Sequence, residues 1–232
     1  MSIVLAFIAG VAVIAGWWLS RQGLGDKPWL ETGAVTAVPS PGGLPVGKMG
    51  LGVFLGVVGV LFALTGSAVV MRMGFADWFE LRLPRVVWAS TALLMLSSVA
   101  LHIAQRAARS GDERLLRLTV AVGGLTAAGF LAGQLAAWSA LAQSGQTLAS
   151  NPGVSFFYLI AGLHGLHIIG GLVALGRVGL RLRERAVPDQ TTRSVTLCAI
   201  YWHALLVVWV AMLTLLMGWA SDVVSLCRAI LT

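Results

Sequence analysis

Charge is what this sequence has least of. Only 11% of its 232 residues are Asp, Glu, Lys or Arg, whereas a soluble globular chain is roughly one quarter charged. With 58% hydrophobic residues and a mean hydropathy of +0.88, that shortage excludes a water-soluble domain and points to an integral membrane protein. The nine acidic residues are placed poorly for transport chemistry. Asp26, Glu31, Asp77, Glu80, Asp112, Glu113, Glu184, Asp189 and Asp222 all fall between or beyond the long apolar runs. Ion-coupled carriers mark their pathway with ionisable groups inside the membrane, so an autonomous ion transporter is disfavoured. No inverted repeat is evident either, which disfavours a small-molecule transporter. Cysteine is nearly absent: Cys198 lies within one apolar run and Cys227 beyond its far end. The two face opposite sides of the membrane, so there is no disulfide framework. No phosphate-binding glycine loop appears with the strand and helix it needs.

What the chain does contain is apolar runs of membrane-crossing length, about 20 residues each. Six qualify, at 3–19, 50–71, 86–104, 118–141, 154–176 and 196–220. The expected fold is therefore all-α, a polytopic bundle of six transmembrane helices. Residues 1–49 form an N-terminal anchor helix and a Pro/Gly-rich connector, and residues 50–232 a five-helix core with a short C-terminal tail. The first run has no basic residue before it and no small-residue cleavage site after it, so it reads as a retained anchor. Trp17, Trp18, Trp88, Trp138, Trp209 and Trp219 sit at or near run ends, as an interfacial aromatic belt does.

The net charge of +7 suggests no nucleic-acid partner, because the basic residues occupy the short segments between runs. Twelve of the sixteen fall after the first, third and fifth runs: Arg21, Lys27, Lys48, Arg106, Arg109, Arg114, Arg117, Arg177, Arg181, Arg183, Arg185 and Arg193. The other side holds Arg72, Arg82, Arg85 and Arg228. The positive-inside rule then places both termini outside, on the periplasmic face of a bacterial membrane.

Within the runs, Gly52 and Gly56, Gly129 and Gly133, and Gly162, Gly165, Gly170 and Gly171 are spaced to let helix backbones approach closely. The four histidines, His102, His164, His167 and His203, also lie in the runs. His164 and His167 are three apart and share one face of a helix. One reading is haem ligation, with His167 facing His203 and a second pair made by His102 and His164. The depths of His102 and His164 match poorly for that. The other reading is that neutral imidazoles hydrogen-bond between helices, to Gln134, to Ser or Thr side chains or to carbonyls. A hydrolytic or oxidative metal site would normally add carboxylates or cysteines, and the membrane offers none close by.

The run "FLAGQLAAWSALAQSGQTLASNPGVSFFYLIAGLHGLHIIGGLVAL" followed by "YWHALLVVWVAML" resembles subunit III of haem-copper terminal oxidases. "LGVFLGVVGVLFALTGSAVVMRM" and "RVVWASTALLMLSS" resemble that family's preceding helices, so the likeness covers about residues 50–220. The resemblance implies a subunit with no haem, copper or other metal of its own. It implies packing against catalytic subunit I, with subunit II in the same complex, and bound phospholipid supporting sustained proton uptake. It also implies structural roles for the motif residues Tyr158, His164, His167, Trp202, His203 and Trp209. Arg106, Arg109, Arg181 and Arg183 are candidate lipid-headgroup contacts. Three departures stand out. Val57 and Val58 replace a "SE" pair, so the proton-antenna role tied to that glutamate is not carried over. Leu206 replaces an aspartate in the last helix. A single helix precedes the core where seven-helix members have two forming a lipid-holding cleft.

Overall fold

The computed structural model describes residues 46–75, 78, 83–146, 151–183 and 188–217. The expected first span, the connector after it and the C-terminal tail lie outside the described residues, apart from the connector's last few positions. Five helices follow one another: α1 Val46–Arg72, α2 Arg85–Ser110, α3 Glu113–Gln143, α4 Pro152–Arg183 and α5 Pro188–Leu216. All five are long and apolar enough to cross a membrane, and they correspond to the second to sixth runs.

The helices outlast the apolar runs at their arginine-bearing ends. α2 continues past residue 104 through Arg106 and Arg109, and α4 past residue 176 through Arg177, Arg181 and Arg183. At 1.5 Å per residue the 32 residues of α4 reach about 48 Å, beyond a hydrocarbon core of about 30 Å. Caps, not hydropathy, set the ends. Gly111 takes a left-handed φ of 77° and its N–H donates to the Ala107 carbonyl, closing α2. The Asp112 side chain then accepts from the Leu115 N–H at 2.9 Å and opens α3. Asn151 accepts from Gly153 N–H at 2.9 Å ahead of Pro152, the first residue of α4.

The two-residue turn makes α2 and α3 antiparallel neighbours with the most extensive contact in the bundle, while α5 packs against α1, α2 and α4. The ends of α2, α4 and α5 meet at the arginine-bearing end. There Thr192 donates to the Ala108 carbonyl at 3.2 Å, and Arg181 Nη1 to Ser194 Oγ at 3.1 Å. The core is aromatic and aliphatic: Phe62, Leu94, Leu101, Phe130, Phe157, Ile160, Ile168, Trp202, Leu205 and Trp209 are all buried. Outward faces stay apolar, with Leu125 73% and Val207 67% exposed, as expected where lipid is the solvent. Val58 is buried in the core, and Val57 beside it is exposed.

Candidate functional site: a histidine and aromatic cluster between helices

His164 stands at the centre of the bundle with no exposed surface. Its ring lies 5.0 Å from Trp209 of α5 and 5.6 Å, edge to face, from Phe130 of α3, with Phe62 of α1 at 6.2 Å. One imidazole thus ties together four helices through ring contacts, each worth about 0.5–1.5 kcal/mol beyond simple burial. Among the described residues neither ring nitrogen has a hydrogen-bond partner.

His167, one turn on, is half-buried. Its Nδ1 lies 2.7 Å from the Leu163 carbonyl of its own helix and its ring 5.6 Å from Phe62. Its own carbonyl accepts from the Tyr201 hydroxyl at 2.8 Å, which fastens α4 to α5. Close by, Gly171 makes room for α5. A Cβ there would fall 2.7 Å from Trp202 Cζ3 and 2.8 Å from Tyr201 Cε1.

The other two histidines form a separate pair. His102 of α2 stacks on His203 of α5 with ring centroids 5.7 Å apart and planes 30° from parallel, and Ser98 Oγ lies 2.7 Å from His203 Nδ1. The pairings that haem ligation would need, His167 with His203 and His102 with His164, are not the ones seen: His203 stands beside His102, because α2 and α5 are direct neighbours. Among the described residues no three His, Cys, Asp or Glu side chains come together where they could hold a metal ion.

Several polar groups elsewhere in the core join one helix to another. Trp209 Nε1 donates to Thr91 Oγ1 at 3.0 Å, and Thr91 donates in turn to the Val87 carbonyl at 2.7 Å. Gln134 Nε2 donates to Ser90 Oγ at 2.8 Å, not to a histidine, and Ser97 donates to the Gly123 carbonyl at 2.8 Å. The Tyr158 hydroxyl donates to the Trp138 carbonyl at 3.1 Å.

The glycines divide. A Cβ on Gly129 would lie 3.1 Å from Leu93, and on Gly133 2.6 Å from the Ser90 Cβ. On Gly162 and Gly165 the nearest atoms are Trp138 at 3.6 Å and Leu131 at 3.5 Å. Gly52, Gly56 and Gly170 meet nothing within 4 Å. Gly170 was expected at a helix contact; it turns outward, and its neighbour Gly171 makes the approach instead. Sequence reasoning passed over Ser98 as well. Its place one turn before His102 in "SSVALH" was the available signal.

Of the candidate headgroup contacts, Arg106, Arg109, Arg181 and Arg183 are all exposed at the same end of the bundle. Arg117, not singled out from sequence, is there too and pairs with Glu113 at 3.1 Å.

Comparison with known proteins places this arrangement. Residues 72–221, more than half of the chain, match the family model described as Cytochrome c oxidase subunit III. A protein named "Probable cytochrome c oxidase subunit 3" from Nocardia farcinica is 34% identical over 123 residues, covering 53% of this chain and 60% of that protein's length. "Quinol oxidase subunit 3" of Bacillus subtilis is 28% identical over 173 residues, covering 72% of this chain and 83% of its own. "Cytochrome c oxidase subunit 3" of Thermostichus vulcanus is 31% identical over 180 residues, covering 72% and 85%.

Proposed function

This chain belongs to the cytochrome c oxidase subunit III family, and on that footing we propose that it is a non-catalytic membrane subunit of a bacterial haem-copper oxidase. In that complex of the aerobic respiratory chain oxygen is reduced to water and protons are translocated. Haem and copper belong to partner subunits, subunit I in direct contact and subunit II in the same complex. This chain shields a face of subunit I and holds phospholipid against it.

The observation that carries the reading is the family match across α2 to α5, the helices that hold three of the histidine cluster's four walls. The chemistry of the cluster supports it. Its imidazoles are packed against aromatic rings or each other, and His167 and His203 each hold one hydrogen bond within the bundle. The names of two relatives differ in electron donor, quinol in one and cytochrome c in the other. That difference suits a subunit that takes no part in binding the donor.

The chain then sits in the bacterial inner membrane with both termini periplasmic. Residues 1–49 serve as anchor and connector, and residues 50–232 as the working core. Arg106, Arg109, Arg181 and Arg183 meet lipid headgroups on the cytoplasmic side.

The visible absorption spectrum tests this. The purified chain alone is expected to be colourless, while the complex that travels with it in mild detergent carries haem and consumes oxygen. A Soret band in the isolated chain, lost when His167 or His203 is replaced by Ala, would overturn the proposal in favour of a haem-bearing electron-transfer protein.

A further inference from the structure

α3 and α4 part near their arginine-bearing ends, leaving a groove of about 630 Å³ open to the lipid side. Its walls are apolar, among them Ala121, Leu125, Leu172, Gly176 and Gly179, and its rim carries two cations, Arg117 and Arg183. The opening follows from the sequence. Gly176 and Gly179 have no side chains to fill it, and a Cβ at either would meet nothing within 4 Å.

Dimensions and charge indicate one occupant. Along α3 the groove runs from Arg117 to Leu125 and along α4 from Arg183 back to Leu172, which at 1.5 Å per residue is about 12–16 Å. Half of a hydrocarbon core of about 30 Å is about 15 Å. The groove is therefore one leaflet deep, apolar along its length and cationic only where headgroups lie. Glu113 already occupies one edge of the Arg117 guanidinium at 3.1 Å, whereas Arg183 has no ion-pair partner among the described residues. We infer that this groove seats one acyl chain of a phospholipid whose phosphate is bound first by Arg183 and then by Arg117. The site is formed by α3 and α4 of the core bundle. The inference rests on the membrane-subunit reading above and needs no particular electron donor or haem.

The test uses the full-length chain together with the membrane subunits that purify with it. Phosphatidylglycerol bearing a diazirine in one acyl chain is added and photolysed, and the labelled peptides are mapped. Label is expected at residues 120–125 and 172–180 in preference to Leu64 and Leu166, which are exposed outside the groove. One arginine–phosphate contact at a membrane surface is worth about 1 kcal/mol or somewhat more, so Arg183→Gln should lower that label about fivefold to tenfold. Arg117→Gln should lower it less, and Arg183→Lys should restore most of it. Gly179→Leu, whose Cβ would meet no neighbour within 4 Å, places a side chain in the groove and should lower the label strongly. Diazirine diacylglycerol, which lacks phosphate, should label several-fold less.

Even labelling around the bundle, equal labelling by diacylglycerol, or no change in Arg183→Gln overturns the inference. So does cross-linking of the groove to another protein subunit. Since Arg183 is an exposed side chain, Arg183→Gln stays informative if Gly179→Leu misfolds. Haem content and oxygen uptake of the same preparations report on the oxidase reading separately.

Discussion

Two parts of the bundle hold the same kind of side chain in opposite ways. His164 is enclosed by Phe62, Phe130 and Trp209 with both nitrogens unpartnered among the described residues. His203 is half-buried, stacked on His102 and hydrogen-bonded to Ser98. An unsatisfied buried polar group costs about 1–3 kcal/mol, and three aromatic contacts of about 0.5–1.5 kcal/mol each are of the size that offsets it. The first region is thus held by shape, and the second by shape plus one directional bond. In a membrane, where lipid is as apolar as leucine, association between helices rests on close packing more than on burial, so the first region should be the more sensitive to volume and the less sensitive to polarity.

The largest break is expected at the seam of the shape-held region. Gly171→Leu drives a side chain into the fully buried Trp202 and into Tyr201, whose ring atoms already lie within 2.8 Å of a Cβ at that position. Neither ring is the loose end of a flexible chain. Overpacking usually costs about 1–3 kcal/mol and occasionally more, and a rigid wall puts this variant at or above the top of that range. Thermal unfolding of the complex in detergent should show the drop, together with loss of the chain from the purified assembly. Gly170→Leu, one residue away and outward-facing, should leave both unchanged.

Next in size, His164→Ala should cost about 2–4 kcal/mol through the cavity it leaves. His164→Leu, of similar volume and with no polar atoms, should fall within about 1 kcal/mol of the parent in either direction. If instead Leu is as damaging as Ala, the imidazole nitrogens matter and the shape-held description fails. Melting temperature of the two variants side by side decides it.

Much of this was legible in the sequence, and the parts that were not share a cause. The apolar runs located α1 to α5, because crossing a bilayer requires them. The apolar runs stop at residues 104 and 176, short of the helix ends, because hydropathy marks the edge of the hydrocarbon, whereas a helix stops at a cap such as Gly111 followed by Asp112. Spacing put His164 and His167 on one face but said nothing of which helix that face meets. The stacking of His203 on His102 was consequently not foreseen, and the choice between Gly170 and Gly171 was misjudged. Periodicity reports a helix's own faces, and its neighbours follow from topology, here from the two-residue turn that sets α2 beside α3 and from the packing of α5 between α2 and α4. The groove between α3 and α4 was hidden for the same reason, although Arg183 was already singled out.

The smallest expected effect is the sharpest test of the contrast. The bond between Ser98 and His203 joins α2 to α5, and such bonds between membrane helices average about 0.6 kcal/mol, since the separated helices find other partners. Ser98→Ala and His203→Leu should each destabilise by about that much or slightly more. The double variant should fall short of their sum by about the value of the bond, because the second change removes a partner already lost. Ser97→Ala supplies the control: Ser97 also bonds between helices, to the Gly123 carbonyl on α3, and it should add to His203→Leu with no coupling. A coupling near zero for Ser98 and His203 would mean that the second region, like the first, is held by packing alone, with the stacked pair of His102 and His203 carrying the contact.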